Sequence, residues 1–253
     1  MLMELWKRWF AFLLAAVVVI GFAACSGTKE ESGDTLDSSV NNAGSGAYGD
    51  ETEPYTGPTY TVTFYSDDGS ILWIDTVPEN GTATPPVEPE MTYGNVFTKW
   101  NGSFTSVTED LEIHPECLSL TGKKNAFVLP GAYGKTGDYV ILPFKLSGDV
   151  CLCGFDLTVT YDPEKLQLES VFNEDGAIIY NDETPGVIRM NFVSIKDVEA
   201  DVDICSFKFK VLAESYCEIP VTAKMTSIYA GNDDDSMYVP EYELIPANVY
   251  VYQ

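Results

Sequence analysis

The chain has little positive charge and a single histidine, His114. It carries 14 Lys and Arg residues against 39 Asp and Glu residues, which gives a formal net charge of −25. A chain this acidic lacks the basic surface that displaces counterions from phosphates, so we expect no nucleic-acid partner. One histidine excludes catalytic schemes built on several imidazoles. The hydrophobic share of 45% is nonetheless sufficient for a packed core in a chain of 253 residues.

An uncharged apolar run begins at Trp9 and ends at Ala24, after two basic residues. At ~1.5 Å per residue it is shorter than the ~30 Å core of a bilayer, which is typical of an export signal. The small residues before Cys25 resemble a lipoprotein lipobox. The resemblance implies a signal peptide over residues 1–24 and a lipid on Cys25 that anchors the protein at the extracellular face of the cell membrane. A plain signal peptide or a short anchor helix is the alternative.

Large aliphatic residues are scarce from Cys25 to Pro58, where Gly, Ser, Thr, Asp and Glu dominate. Such a stretch cannot bury enough apolar surface to offset the entropy of ordering it. We therefore predict a flexible acidic linker over residues 25–58.

Period-two alternation begins at Thr59, and Asp68-Gly69 is a strong hairpin signal between two apolar runs. The predicted small β module covers residues 59–118, followed by a linker over 119–125. Its segments YTVTFYSDDGS, PPVEP, GNVFTKW and SVTEDLEI resemble the internalin B-repeat, a β-grasp-like module of bacterial surface proteins. That resemblance implies a spacer or a weak interaction unit without chemistry of its own.

The remaining residues, 126–253, alternate in short runs with turn signals about every ten residues. This pattern predicts an all-β protein whose main domain is a nine-stranded, jelly-roll-like sandwich. In the predicted strand Leu152–Tyr161, the residues expected to face the core are Phe155, Leu157, Val159 and Tyr161. The predicted strands are Ala126–Leu129, Tyr139–Leu146, Leu152–Tyr161, Leu166–Phe172, Ala177–Tyr180, Val187–Ser194, Ile204–Leu212, Glu218–Tyr229 and Ala247–Tyr252.

Several segments of this domain resemble a cohesin domain by their order and spacing. They read GKTGDYVILPFKLSG, CGFDLTVTYDPEKLQLESV, GVIRMNFVS, ICSFKFKVL, IPVTAKMTSIYA and ANVYVY. The resemblance implies a receptor without catalytic activity that binds the dockerin domains of secreted glycan-degrading enzymes on one flat sheet face. Carried over by position, the partner-binding residues of that face would be Gly154, Asp156, Thr158, Tyr180, Arg189, Asn191 and Ser194.

Catalysis and metal binding fit the sequence poorly. His114 has no visible supporting residues, and no acid/base motif accompanies the many carboxylates. Cys151-Leu152-Cys153 lacks the spacing of a zinc site, and Asn232–Ser236 lacks the glycine and distal glutamate of a calcium loop. We expect no enzyme activity, no cofactor and no metal. The cysteines besides Cys25 are Cys117, Cys151, Cys153, Cys205 and Cys217. Because their number is odd, at least one is unpaired or bonded to another chain.

Two other functions remain open from the sequence. Carbohydrate-binding modules share the sandwich fold, so direct binding of polysaccharide is one alternative. Tryptophan, the usual sugar platform, is absent after Trp100, although Tyr229, Tyr238 and Tyr242 could form one. A surface adhesin or spacer protein is the other alternative. A flat polar sheet around Asp156 and Asn191 would favour dockerin binding, whereas a coplanar row of exposed tyrosines would favour sugar.

Overall fold

The structure of the protein is a computed structural model. It describes residues 55–253 except 88, 90, 149, 174–176, 199–201 and 232–235. Residues 53–253 form one compact unit. Within the described residues every regular element is a β-strand, as the sequence predicts. No helix of the described part is long and apolar enough to cross a membrane.

The N-terminal module is a four-stranded sheet with the strand order β2-β1-β4-β3. β1 pairs with β2 in antiparallel fashion through the predicted hairpin, and with β4 in parallel fashion. Alternation along β1 buries Val62 and Phe64, which pack with Trp100 and Ile113. The strands are β1 (Thr59–Tyr65), β2 (Ile71–Pro78), β3 (Asn95–Asn101) and β4 (Leu111–Ser119).

The hairpin turn of this module is fixed by Asp67. Its Oδ1 accepts the backbone N–H of Thr92 at 2.9 Å, and its Oδ2 accepts Thr92 Oγ1 at 2.6 Å and Asn95 Nδ2 at 2.7 Å. Burial raises the pKa of Asp67, but the hydrogen bonds from Thr92, Asn95 and Ser66 outweigh burial and lower it to about 2. The ionised carboxylate therefore ties the turn to the loop before β3.

Twelve further strands follow. Nine correspond to the predicted strands within a few residues, and the short strands β6, β14 and β15 were not predicted. They are β5 (Ala126–Val128), β6 (Ala132–Gly134), β7 (Tyr139–Ser147), β8 (Leu152–Thr160), β9 (Leu166–Phe172), β10 (Ala177–Asn181), β11 (Val187–Val198), β12 (Val202–Val211), β13 (Cys217–Gly231), β14 (Met237–Tyr238), β15 (Glu243–Ile245) and β16 (Ala247–Val251).

These strands build a β-sandwich, which confirms the predicted fold class. One sheet has the order β10-β11-β8-β13-β16-β6, with β14 paired to β13, and the other has the order β15-β5-β7-β12-β9. A continuous apolar core lies between the two sheets, to which β7 contributes Leu142 and Phe144, and β12 contributes Phe207 and Phe209. Phe155 of β8 meets Phe144 across the core with ring centroids 5.8 Å apart.

The N-terminal module and the sandwich share buried residues. On the outer side of β6 and β16, Tyr133 and Tyr250 stack at 4.8 Å and belong to the same apolar cluster as Phe97, Trp100 and Phe104. A second shared cluster joins residue 96 of β3 to residues 126 and 128 of β5. The module thus covers the β16-β6 end of the first sheet.

Candidate functional site

The candidate site is the outward side of β10, β11, β8 and β13, hereafter the open face. Along β8 the buried residues are Phe155, Leu157 and Val159, so the residues between them point outward, as predicted. β11 repeats this alternation, with its buried side formed by Ile188, Met190 and Phe192. The register then aligns the outward residues of the four strands in rows across the sheet.

Asp156 lies at the centre of the open face. Its Oδ1 accepts the side-chain amide of Asn191 on β11, and its Oδ2 accepts the hydroxyl of Ser227 on β13. Ile179 of β10 extends the same row beyond Asn191. Both carboxylate oxygens are therefore engaged by neighbouring strands, and the row Ile179–Asn191–Asp156–Ser227 runs across four strands.

The neighbouring row carries positive charge. Thr158 of β8 stands opposite Arg189 of β11 on one side and Lys224 of β13 on the other. Arg189 and Lys224 are exposed, and Thr158 is half-buried between them. Among the ion pairs of the described residues, none includes Arg189 or Lys224. Both cations are therefore available to a group from outside the chain.

Gly154 keeps the other end of the open face flat. It stands opposite Val193 and Tyr229. A Cβ atom at this position would lie 2.8 Å from the carbonyl oxygen of Phe192, closer than real Cβ atoms approach. The strand pairing therefore leaves no room for a side chain here, and the row consists of the side chains of Val193 and Tyr229 on either side of the glycine.

Two predicted residues do not lie on the open face. Tyr180 pairs with Met190, whose side chain is buried, so Tyr180 lies on the core side of the sheet at its edge. Its neighbour Ile179 takes the outward position. Ser194 is half-buried and follows Val193 where the pairing of β11 with β8 becomes irregular, so it is not part of the aligned outward rows. Gly154, Asp156, Thr158, Arg189 and Asn191 are brought together as predicted.

Residues of β13 complete the open face and were missed from the sequence. Lys224, Ser227 and Tyr229 join it because β13 pairs with β8 along most of its length. The sequence alone gives the alternation of β13 but not its neighbour in the sheet, so no pattern could have assigned these residues to this face.

The tyrosines proposed as a sugar platform do not form a coplanar row. Tyr229 lies on the open face, whereas Tyr238 pairs with the buried Ala230 and so belongs to the other side of β13. Tyr242 meets the core residue Phe127 edge-on, with ring planes at 88°.

The remaining candidates from the sequence supply no chemistry in the described part of the chain. His114 stacks on Tyr65 with ring centroids 4.6 Å apart. No disulfide joins the cysteines of the described part, which begin at Cys117, and burial, followed by the charge of Asp203, raises the pKa of Cys205 to about 12. No cluster of three or more metal-ligating side chains occurs among the residues described. Cys25 and residues 232–235 of the candidate calcium loop lie outside them.

A groove of about 690 Å³ lies away from the open face. The N-terminal module lines it with Met91 and Phe97, and the outer side of the second sheet lines it with Ile141 and Pro143. None of the residues of the open face contributes to it.

Comparison with known proteins agrees with the resemblance seen in the sequence. The cohesin domain family matches residues 126–239, a segment that contains the whole open face. Cohesins are protein-interaction modules without catalytic activity, in keeping with the expectation for this domain. No curated protein matches the chain.

Solved cohesin structures resemble the sandwich. The seventh type I cohesin of ScaB from Pseudobacteroides cellulosolvens is 17% identical with a TM-score of 0.47, over 51% of this chain and 92% of that chain. A non-cellulosomal cohesin from Archaeoglobus fulgidus is 16% identical with a TM-score of 0.44, over 51% of this chain and 92% of that chain. The type I complex of Coh-OlpA with Doc918 from Clostridium thermocellum is 15% identical with a TM-score of 0.44, over 51% of this chain and 99% of that chain.

Proposed function

We propose that this protein is a non-catalytic receptor that binds dockerin-bearing proteins through the open face, at the outer surface of the cell. The match of residues 126–239 to the cohesin family supports the class of partner. Dockerins are small helical domains carried by secreted glycan-degrading enzymes. The receptor would hold such enzymes at the cell surface and so serve the degradation of extracellular polysaccharide.

The exposed, hydrogen-bonded polar row of the open face carries the proposal. The N-terminal module covers the β16-β6 end of the sheet through Tyr133 and Tyr250 but leaves β10, β11, β8 and β13 uncovered. The central row presents a carboxylate, an amide and a hydroxyl that are already hydrogen-bonded to one another. A level, preorganised polar strip flanked by apolar side chains is suited to a helix laid across it.

Attachment to the membrane is a separate part of the proposal. Its support is the sequence around Cys25, where small residues precede the cysteine after an apolar run. Lipoproteins carry more than one acyl chain, and two chains make anchoring stable where one is marginal. The acidic linker over residues 25–58 would then hold the folded unit about 30 Å from the bilayer as a flexible coil.

Isothermal titration tests the binding function directly. The chain from Ser26 to Gln253 is titrated with a panel of purified dockerins in the presence of calcium. We expect a Kd below about 1 μM for at least one dockerin. The double variant Asp156→Ala/Asn191→Ala should abolish the signal, because it removes the central row while leaving the buried core side of the sheet intact.

A matched pair of substitutions controls for nonspecific damage. Asp203→Ala/Gln167→Ala removes one carboxylate and one amide from exposed positions of the second sheet, on β12 and β9. We expect this variant to bind like the unmodified chain. Absence of binding to every dockerin, together with retardation of the unmodified chain in native gels containing cellulose, xylan or starch, would replace the proposed partner by a polysaccharide.

A further inference from the structure

The outward rows of the open face change along β8 from apolar through polar to cationic. Proceeding along β8, the first outward row has apolar flanks, the second is the Asp156 row, and the third is a cationic row formed by Arg189, Thr158 and Lys224. Successive rows are two residues apart, which is about 7 Å along a strand. The apolar flanks and the cationic row are therefore separated by about 14 Å, with hydrogen-bonded polar groups between them.

The two cations stand at a defined spacing. Arg189 and Lys224 both lie opposite Thr158, one on each neighbouring strand, so their backbones are two strand spacings apart. That separation is about 10 Å. Long side chains on both sides of a short threonine can converge on one anionic group or hold two carboxylates side by side.

No ion pair within the described residues includes a member of the cationic row. Asp156 is the nearest carboxylate in the register, but its oxygens accept hydrogen bonds from Asn191 and Ser227. The ion pairs of the described part involve lysines at other positions, such as Lys145 with Asp203 on the second sheet. In a chain with a net charge of −25, two cations that flank one threonine across neighbouring strands are a feature that an acidic partner can recognise.

The opposite end of the open face is unusually apolar for an exposed surface. In the first row Val193 is 58% exposed and Tyr229 46%, and Ile179, at the edge of the adjoining Asp156 row, is 74% exposed. Gly154 lies between Val193 and Tyr229 in the register and adds no side chain to this row, so the exposed side chains of Val193 and Tyr229 form its surface. A partner would have to cover this end with apolar surface and the cationic row with negative charge.

We propose that the open face selects a partner helix with an apolar side chain at one end and carboxylates about two turns away. Two turns span about 11 Å, and the reach of Arg189 and Lys224 covers the rest of the 14 Å. This inference rests on the proposed function and adds the specificity of binding. Among dockerins, we expect binding from those that carry acidic residues about two turns from the apolar side chain. Arg189 and Lys224 are the specificity-determining residues.

Charge reversal tests the cationic row with any dockerin that binds. Arg189→Glu/Lys224→Glu should weaken binding by about 30-fold or more, because two attractions become repulsions. The control Lys124→Glu/Lys210→Glu makes the same change of net charge away from the open face and should change the affinity less than about 3-fold. Replacing the dockerin's acidic residues by lysine should restore binding to the Arg189→Glu/Lys224→Glu variant. Equal losses in the two variants, or no rescue, would overturn the inference.

A second measurement does not depend on dockerins. Two stapled 14-residue helices are synthesised with leucine near one end and either two glutamates or two lysines two turns away. Amide chemical shifts of the ¹⁵N-labelled chain from Ser26 to Gln253 are followed during titration with each. We expect the glutamate helix to shift the amides of Val193, Arg189 and Lys224, and the lysine helix to leave them unchanged.

The outcomes separate the two proposals. Equal responses to the two helices, or none to either, would overturn the inference about the cationic row. If no dockerin gives binding heat in the titration but the glutamate helix alone shifts the amide signals, the dockerin is rejected as the partner. The inferred specificity of the open face is then retained.

Discussion

The backbone N–H of Trp100 donates a hydrogen bond to the phenolic oxygen of Tyr133 at 2.9 Å, inside an aromatic cluster shared by the N-terminal module and the sandwich. Trp100 and Tyr133 are almost fully buried. Burial raises the pKa of Tyr133, so its hydroxyl stays protonated over the accessible pH range. The bond means that the module is packed into the sandwich rather than attached to it by a free linker.

Removing this hydroxyl should destabilise the whole folded unit. Tyr133→Phe leaves the N–H of Trp100 buried without its acceptor, which costs about 1–3 kcal/mol. For a folded unit of this size, each kcal/mol lowers Tm by about 2–4 °C. Scanning calorimetry should show one transition at a lower temperature. Tyr216→Phe, at an exposed site, is the control, and two separate transitions would contradict the shared core.

The close approach of the two modules at Gly131 offers an independent check. Its N–H donates to the carbonyl oxygen of Phe97 at 3.0 Å, and a Cβ atom there would overlap the carbonyl oxygen of Thr98. Gly131→Ala should therefore lower stability by about 2 kcal/mol or more, as overpacking does. Gly231→Ala, whose Cβ would meet only the Cys153 side chain at 3.3 Å, should be far milder in urea unfolding. Similar losses in the two variants would contradict the contact.

The hairpin of the N-terminal module should depend on pH through Asp67. Hydrogen bonds lower the pKa of Asp67 to about 2, below the value near 3.8 of a free carboxyl, so its contribution is present above pH 3.8 and is lost as the pH falls toward 2. Because the group is solvent-screened, we expect about 1 kcal/mol. Asp67→Asn should thus be less stable than the unmodified chain at pH 7 and equally stable near pH 2. Asp182→Asn is the control; a constant difference at every pH would refute the assignment.

Anchoring should depend on a single atom, the thiol of Cys25. Cells expressing the full chain are labelled with an alkynyl fatty acid, and the protein is followed in membrane and soluble fractions. We expect labelling and membrane retention for the unmodified chain, and neither for Cys25→Ser. Cys151→Ser controls for labelling at another exposed thiol. Retention of the Cys25→Ser variant in the membrane would favour an anchor helix.

Much of the fold could be predicted because period-two alternation is strong in the central strands. In β8 from Phe155 to Val159, and around Met190 in β11, core residues alternate with polar or small residues, so the inward and outward positions there were assigned correctly. The edge strand β10 was ambiguous because Ile178 and Ile179 are both apolar and adjacent, and a one-residue change of phase moves Tyr180 to the other face. The register with β11 decides it.

The shared core could not be predicted from the sequence. Tyr133 lies on a three-residue strand that gives no periodic signal, and Tyr250 alternates with buried valines as an exposed residue would. Only the three-dimensional packing shows that Trp100 and Phe104 cover these tyrosines. A sequence records that a side chain points away from its own core, but not that another module covers it.

Hydrogen–deuterium exchange with a bound dockerin tests the central claim most directly, since it reports where the partner sits. The chain from Ser26 to Gln253 is compared alone and in the complex. We predict slower exchange in peptides from β10, β11, β8 and β13, and unchanged exchange in β7, β12 and the N-terminal module. Protection confined to the β7-β12-β9 sheet or to the N-terminal module would contradict the assignment of the open face as the binding surface.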